Sequence, residues 1–180
     1  MPFTSRSKLY ILGYAGVVLA TVAGSVGLGA PGWFIIRSDF IELFWGLWQT
    51  CARGYGRFEC TYIDHALFDN YMKATQAMAC IGVALLIVST LYGLFVNMSS
   101  TNLPSSPIVE TTALLGGLSL FIGCMVWAGY KKKYVPELLS DIVSFGYAMI
   151  IATIGSVLAL LASACVAVAS RRAGSYQILS

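Results

Sequence analysis

The chain has 180 residues, 58% of them hydrophobic and 11% charged, with a net charge of +3 and a mean hydropathy of +0.77. Soluble domains carry about 25% charged residues, so this much apolar surface calls for lipid as the solvent and excludes an ordinary soluble globule. The few Lys and Arg are scattered over both ends and the loops, which excludes the basic stripe of a nucleic-acid binder.

In chain order, Met1–Lys8 sets Arg6 and Lys8 ahead of the uncharged run Leu9–Ala30. That run is longer than a cleaved leader's apolar core, and it is expected to stay as a signal-anchor and first membrane span. The next 43 residues, Pro31–Lys73, are far more than a turn requires. Trp33-Phe34-Ile35-Ile36 and Phe40-Ile41-Glu42-Leu43-Phe44-Trp45 are rich in aromatic and β-branched residues, which favour strands. Gly54-Tyr55-Gly56 supplies a turn between Cys51 and Cys60, so a small antiparallel sheet with a hairpin is expected there.

Ala74–Val96 is the second uncharged run, followed by a polar link, Asn97–Glu110, that contains Thr101-Asn102-Leu103-Pro104-Ser105-Ser106-Pro107. Thr111–Tyr130 is the third run, Lys131–Asp141 a short connection, and Ile142–Ser170 the fourth. Each run reaches the roughly 20 residues a helix needs to cross a bilayer, and a backbone in hydrocarbon must pair with itself. The expected fold is therefore one all-α membrane domain of four transmembrane helices with a small extracellular β-sheet. The fourth run, at 29 residues, is expected to tilt or project beyond the headgroups.

Small residues recur at helical spacing: Gly155, Ala159, Ser163 and Ala167 in the fourth run, Gly116 and Gly123 in the third, Ser25 and Gly29 in the first. Such faces let membrane helices approach closely, and packing within the bundle is expected ahead of a dimer seam.

Four spans put both termini on one side. Arg6, Lys8, Arg171 and Arg172 flank the outer spans, but Arg37, Arg53, Arg57, Lys73, Lys131, Lys132 and Lys133 fall in the opposite loops, seven against four. Charge bias therefore gives no orientation. The cysteines do better. Cys80, Cys124 and Cys165 lie within spans as small apolar residues. Cys51 and Cys60 lie in the polar loop as a bridge, as two free thiols, or as half a metal site. A metal would need more ligands than His65 and a few carboxylates, so a bridge worth about 2–3 kcal/mol is expected. Bridges persist in oxidising compartments, which puts this loop outside and both termini in the cytoplasm. Asn97-Met98-Ser99 is a glycosylation pattern on the inner side, and a glycan on it would invert the topology.

Trp33, then Gly46-Leu47-Trp48-Gln49-Thr50-Cys51, then Cys60 resemble the W–GLW–C–C signature of the claudin, peripheral myelin protein, epithelial membrane protein and stargazin superfamily. Further stretches are similar to that family in order along the chain. Asp64 and Leu67 follow Cys60, Ala74-Thr75 opens the second span, Tyr134-Val135-Pro136 falls in the second outer segment, and Ser144-Phe145-Gly146-Tyr147 starts the fourth span. The resemblance implies a left-handed four-helix bundle carrying an outer sheet, to which the second outer segment adds a strand. It also implies that Trp33, Gly46, Leu47 and Trp48 wedge apolar surface between the sheet and the outer leaflet. This chain departs from the claudin branch in having Gln76 where Arg is usual. The tail Gln177-Ile178-Leu179-Ser180 lacks the apolar end that a PDZ groove takes, and its shortness resembles the myelin and epithelial membrane branch.

Catalytic equipment is not expected. His65 stands beside Asp64 and Asp69 as a surface histidine, and the spans carry no ionisable group for proton-coupled transport. No cofactor or metal is expected. The leading expectation is a junction protein of the plasma membrane that self-associates, in cis within a membrane and in trans between cells, into adhesive strands, a paracellular barrier or a charge-selective pathway. Arg37, Asp39, Glu42, Arg53, Arg57, Glu59 and Asp64, with Tyr134 and Pro136, are the candidate charge and interaction residues. Expected partners are membrane lipid, further copies and other claudin-like proteins. The alternatives are an auxiliary subunit of a channel or receptor, as in stargazin-like members, and a myelin-type membrane organiser.

Overall fold

The computed structural model describes residues 8–38, 40–54, 56–63, 69–98, 106–134 and 142–178, with side chains for all of these except 106, 132–134 and 173–178. Four helices run Lys8–Gly29 (α1), Asn70–Met98 (α2), Ser106–Tyr134 (α3) and Tyr147–Ile178 (α4). All four are long and apolar enough to cross a membrane. Their outward faces carry large apolar side chains such as Leu12, Leu19, Leu91, Phe95, Leu115 and Leu161, all well exposed. Water would penalise that surface and lipid does not.

Small residues set the packing. α1 lies chiefly against α4, and α2 against α3. A Cβ on Gly155 would meet Ala23 and Gly24 of α1, and one on Gly116 would meet the Gly82 carbonyl of α2. These contacts are within the bundle, as expected for the faces around Gly155 and Gly116. The expectation for Ser25 and Gly29 is overturned: both are exposed, and a Cβ on Gly29 would meet nothing. Gly13, Gly16 and Gly27 make the close approach to α4 instead. Two neighbouring faces of α1 both carry small residues, and spacing alone does not say which one turns inward.

Five strands form one antiparallel sheet in the order β4-β3-β2-β1-β5, with β1 Phe34–Arg37, β2 Ile41–Trp45, β3 Gln49–Gly54, β4 Arg57–Tyr62 and β5 Val143–Phe145. The β3–β4 hairpin turns at Gly56, whose φ of 75° suits glycine. The Cys51–Cys60 disulfide joins directly opposed residues of this hairpin.

Several boundaries differ from those read in the sequence. Residues 142–146 do not open the fourth helix. Val143–Phe145 pairs with Phe34–Ile36 of β1, and α4 starts only at Tyr147. An apolar run gives no sign of where helix yields to strand, and here the ladder to β1 decides. Residues 70–73 and 131–134, placed in the loops, are the first and last turns of α2 and α3. Asn97 and residues 106–110, placed in the inner link, are likewise helical. Helices outrun the hydrocarbon, so charged residues in their end turns stay helical in the headgroup layer.

Candidate functional site

The sheet is fastened to the bundle by the signature residues. An α-helix leaves its last four carbonyls without partners. At the end of α1, the Val26 carbonyl accepts from the Ala30 backbone N–H at 2.9 Å. The indole Nε1 of Trp33 donates to the Gly27 carbonyl at 2.8 Å, and that of Trp48 to the Leu28 carbonyl at 3.0 Å. Two tryptophans from the sheet layer thus cap the first span. Gly46 permits the turn that delivers Trp48: its N–H donates to the Gln49 carbonyl at 2.9 Å, and a Cβ there would strike Pro31 and that same carbonyl.

The expected wedge against the outer leaflet is therefore corrected for Trp33, Gly46 and Leu47, while Trp48 is half-buried. Trp33 and Leu47 are wholly buried inside the protein and touch no lipid. Trp33 meets Trp127 of α3 edge-on, with ring centroids 5.7 Å apart. Phe34 and Tyr130 stack on the Trp127 ring, at 5.0 and 5.5 Å. A tryptophan with an orphan carbonyl in reach gains more from burial with its N–H paired than from a place in the headgroups.

Gln76 is a link that the sequence reading passed over, since it stood out only as a departure. Its Nε2 donates to the Leu47 carbonyl at 2.7 Å, tying α2 to the turn between the two signature tryptophans. The residue is 9% exposed, and a neutral amide enters such a site without the desolvation cost of an ion. Gln76→Leu is expected to lower stability by about 1–3 kcal/mol by orphaning that carbonyl, read as a lower thermal midpoint of the purified protein in detergent. An unchanged midpoint would assign the bond no weight.

The sheet divides the candidate charges between its faces, because alternate residues of a strand point to opposite sides. Register places Arg37, Glu42, Arg53 and Phe58 in one cross-strand row, on the same face as Cys51 and Cys60. Arg37 Nε and Glu42 Oε1 lie 3.2 Å apart, so this pair neutralises itself. Arg57 and Glu59 lie on the other face, where with Ile41, Ala52 and Gly54 they line an open concavity of about 380 Å³. The structure thus brings Arg37, Glu42 and Arg53 together and keeps Arg57 and Glu59 apart from them. Asp39, Asp64, His65 and Pro136 lie outside the described residues, as does the Tyr134 side chain. Lys131 sits 4.7 Å above the Phe145 ring of β5, engaged with the protein and not presented as a loose loop charge.

The far edge of the sheet is open. All six residues of β4 are exposed, including Phe58 and Tyr62, and among the described residues β4 pairs only with β3. The Cα atoms of Cys51 and Cys60 stand 4.0 Å apart, the close spacing of a non-hydrogen-bonded antiparallel pair. Phe58 and Tyr62, two residues to either side of Cys60, share that status, so their backbone N–H groups point to the free edge.

Asn97, where the glycosylation pattern begins, is only 9% exposed within α2, and its side-chain amide is buried in the folded chain.

A family model described as the PMP-22/EMP/MP20/Claudin family matches residues 12–165. No match is found among curated proteins.

Proposed function

The chain belongs to the PMP-22/EMP/MP20/Claudin family, and from that premise we propose a non-catalytic junction protein of the plasma membrane that assembles side by side with its own copies. The sheet faces outward and both termini are cytoplasmic. The disulfide supports this orientation, since such bridges last in oxidising compartments.

The observation that carries the assembly is the open β4 edge, with outward N–H groups and two exposed aromatic side chains on a sheet tied down by indole caps. An unpaired edge is a template for another chain, and a repeated head-to-tail contact makes strands of subunits. Between facing cells the same sheets supply adhesive contacts. Arg53, Arg57 and Glu59 are the exposed or half-exposed charges nearest the edge and would line any passage there, whereas the Arg37–Glu42 pair contributes little net field.

Tyr62→Pro removes one outward donor while leaving the bonds to β3 in place. Expressed in cells that lack junction strands, the unaltered protein is expected to form strands visible by freeze-fracture and to raise transcellular-layer resistance. The Tyr62→Pro variant should reach the surface yet lose strand continuity, with at least about a fivefold loss of self-association, the worth of one backbone hydrogen bond. Absence of strands, clustering and resistance change with the unaltered protein would defeat the proposal. Recovery of a pore-forming subunit in their place would favour the auxiliary-subunit role.

A further inference from the structure

The net charge of +3 is divided unevenly between the two ends of the bundle. At the sheet end, segments 31–73 and 131–141 hold seven Lys and Arg against seven Asp and Glu, so they balance. The end away from the sheet holds Arg6, Lys8, Arg171 and Arg172 against Glu110 alone, and the whole surplus lies there.

The fold gathers that surplus onto one pair of helices. α1 and α4 run antiparallel along their seam: a Cβ on Gly27 would meet Ala152, one on Gly16 Ala162, and one on Gly13 Cys165 and Val166. Tyr10 packs in one cluster with Val166 and Ala169. The same register carried one turn further brings Lys8 level with Arg171 and Arg172. All three are exposed, and neither helix contains an Asp or Glu. Glu110 belongs to α3 and offsets at most one of the three charges. Among the described residues, α2 and α3 add no cation at this end.

Helix geometry sets the depth of the patch. At 1.5 Å per residue, Arg171 lies about 36 Å along α4 from Tyr147, and Lys8 about 32 Å along α1 from Gly29. A hydrocarbon core is about 30 Å thick, so these cations emerge among the headgroups, level with the lipid phosphates. A guanidinium offers a planar fork of donors that matches two phosphate oxygens, and an ammonium adds a compact charge. A zwitterionic headgroup brings a cation of its own, which such a patch repels. A headgroup of net negative charge meets only attraction. We propose that this end of the α1–α4 seam is a docking surface for an anionic phospholipid, whose acidic headgroup oxygens are taken by Lys8, Arg171 and Arg172. That the leaflet concerned is the cytoplasmic one rests on the orientation proposed above. The preference for a negative headgroup does not.

The test titrates the purified full chain in detergent with phosphatidylserine or with phosphatidylcholine and reads the bound fraction by native mass spectrometry. Phosphatidylserine is expected to bind the more tightly, and added salt should weaken it and leave phosphatidylcholine unaffected. One basic residue beside an anionic headgroup is worth about a fivefold gain, so Lys8→Gln should cost about fivefold and the double variant Arg171→Gln/Arg172→Gln about 25-fold. Lys73→Gln, which removes an exposed cation at the sheet end, should change nothing. An unchanged thermal midpoint checks folding, and Lys8→Gln carries the comparison if the double variant fails that check. Equal binding of the two lipids, full phosphatidylserine binding by the folded variants, or an equal loss with Lys73→Gln would each overturn the surface. Displacement by inorganic phosphate beyond that by chloride of equal ionic strength would assign the patch to a soluble anion and overturn it too. Detergent erases sidedness, so failure here leaves orientation and strand assembly standing, and their failure leaves the patch standing.

Discussion

Trp33→Ala is expected to destabilise the protein by about 3–5 kcal/mol, the range for deleting a buried large aromatic side chain. Three losses coincide. The ring is wholly enclosed, so its removal leaves a void between α1, α3 and the sheet. Its edge-on contact with Trp127 disappears. The Gly27 carbonyl loses its donor inside a buried site, which costs more than the net worth of the bond. The readout is chemical or thermal unfolding of purified protein in detergent, together with the fraction of expressed protein that reaches the cell surface. Trp48→Ala removes the companion cap from a half-buried position and is expected to cost distinctly less. Equal losses from the two substitutions would show that burial of Trp33 is not what anchors the sheet.

Gly82→Leu is expected to be the most damaging change within the bundle, at the upper end of or beyond the roughly 1–3 kcal/mol usual for overpacking. A Cβ on Gly82 would lie 2.8 Å from the Leu120 backbone N and 2.9 Å from the Gly116 carbonyl, and one on Gly116 would meet the Gly82 carbonyl at 2.9 Å. The two helices are in backbone contact here, so no side chain can swing aside to make room. In lipid, where the hydrophobic effect does not press helices together, such close packing supplies much of their association. The α2–α3 pair should separate, and the protein should be retained inside the cell with a lowered thermal midpoint. Ala84→Leu, on the exposed face of the same helix, is the control and should be near neutral. Similar behaviour of the two variants would deny the contact its importance.

Much of this architecture was open to reading from the amino acids because lipid imposes simple demands. Four runs without charge, each about as long as a bilayer is thick, leave few alternatives to four helices, and the family match over residues 12–165 agrees with the resemblance carried by Trp33, Gly46-Leu47-Trp48, Cys51 and Cys60. The strand segments around Phe34–Ile36 and Ile41–Trp45 were legible from residue type. What hydropathy could not show was direction and partner. Val143–Phe145 is as apolar as the helix it precedes, and only its pairing with β1 marks it as strand. Trp33 reads equally well as an interface anchor or as a core residue until the Gly27 carbonyl is seen to need a donor. Gln76 carries no signal of its own in the sequence, because its role depends on a carbonyl 29 residues away. The charges illustrate the same limit: mixed signs were visible, but the split between faces follows from register.

The last strand of the sheet is also the doorstep of the fourth helix. Gly146 joins β5 to α4 with its N–H on the Trp33 carbonyl, and the Ala148 N–H reaches the Gly32 carbonyl. Gly32 itself holds φ at 113° with the Tyr147 ring lying where a Cβ would project. The plate is consequently welded at one margin to the two helices, α1 and α4, that grip each other through Gly13, Gly16 and Gly155, while the opposite margin, β4, hangs free. A sideways tug on that free margin acts as on a cantilever: the load passes to the α1–α4 seam through β1 and β5, and to α2 and α3 through the Gln76 bond to the Leu47 carbonyl and the contacts of Trp33 and Phe34 with Trp127.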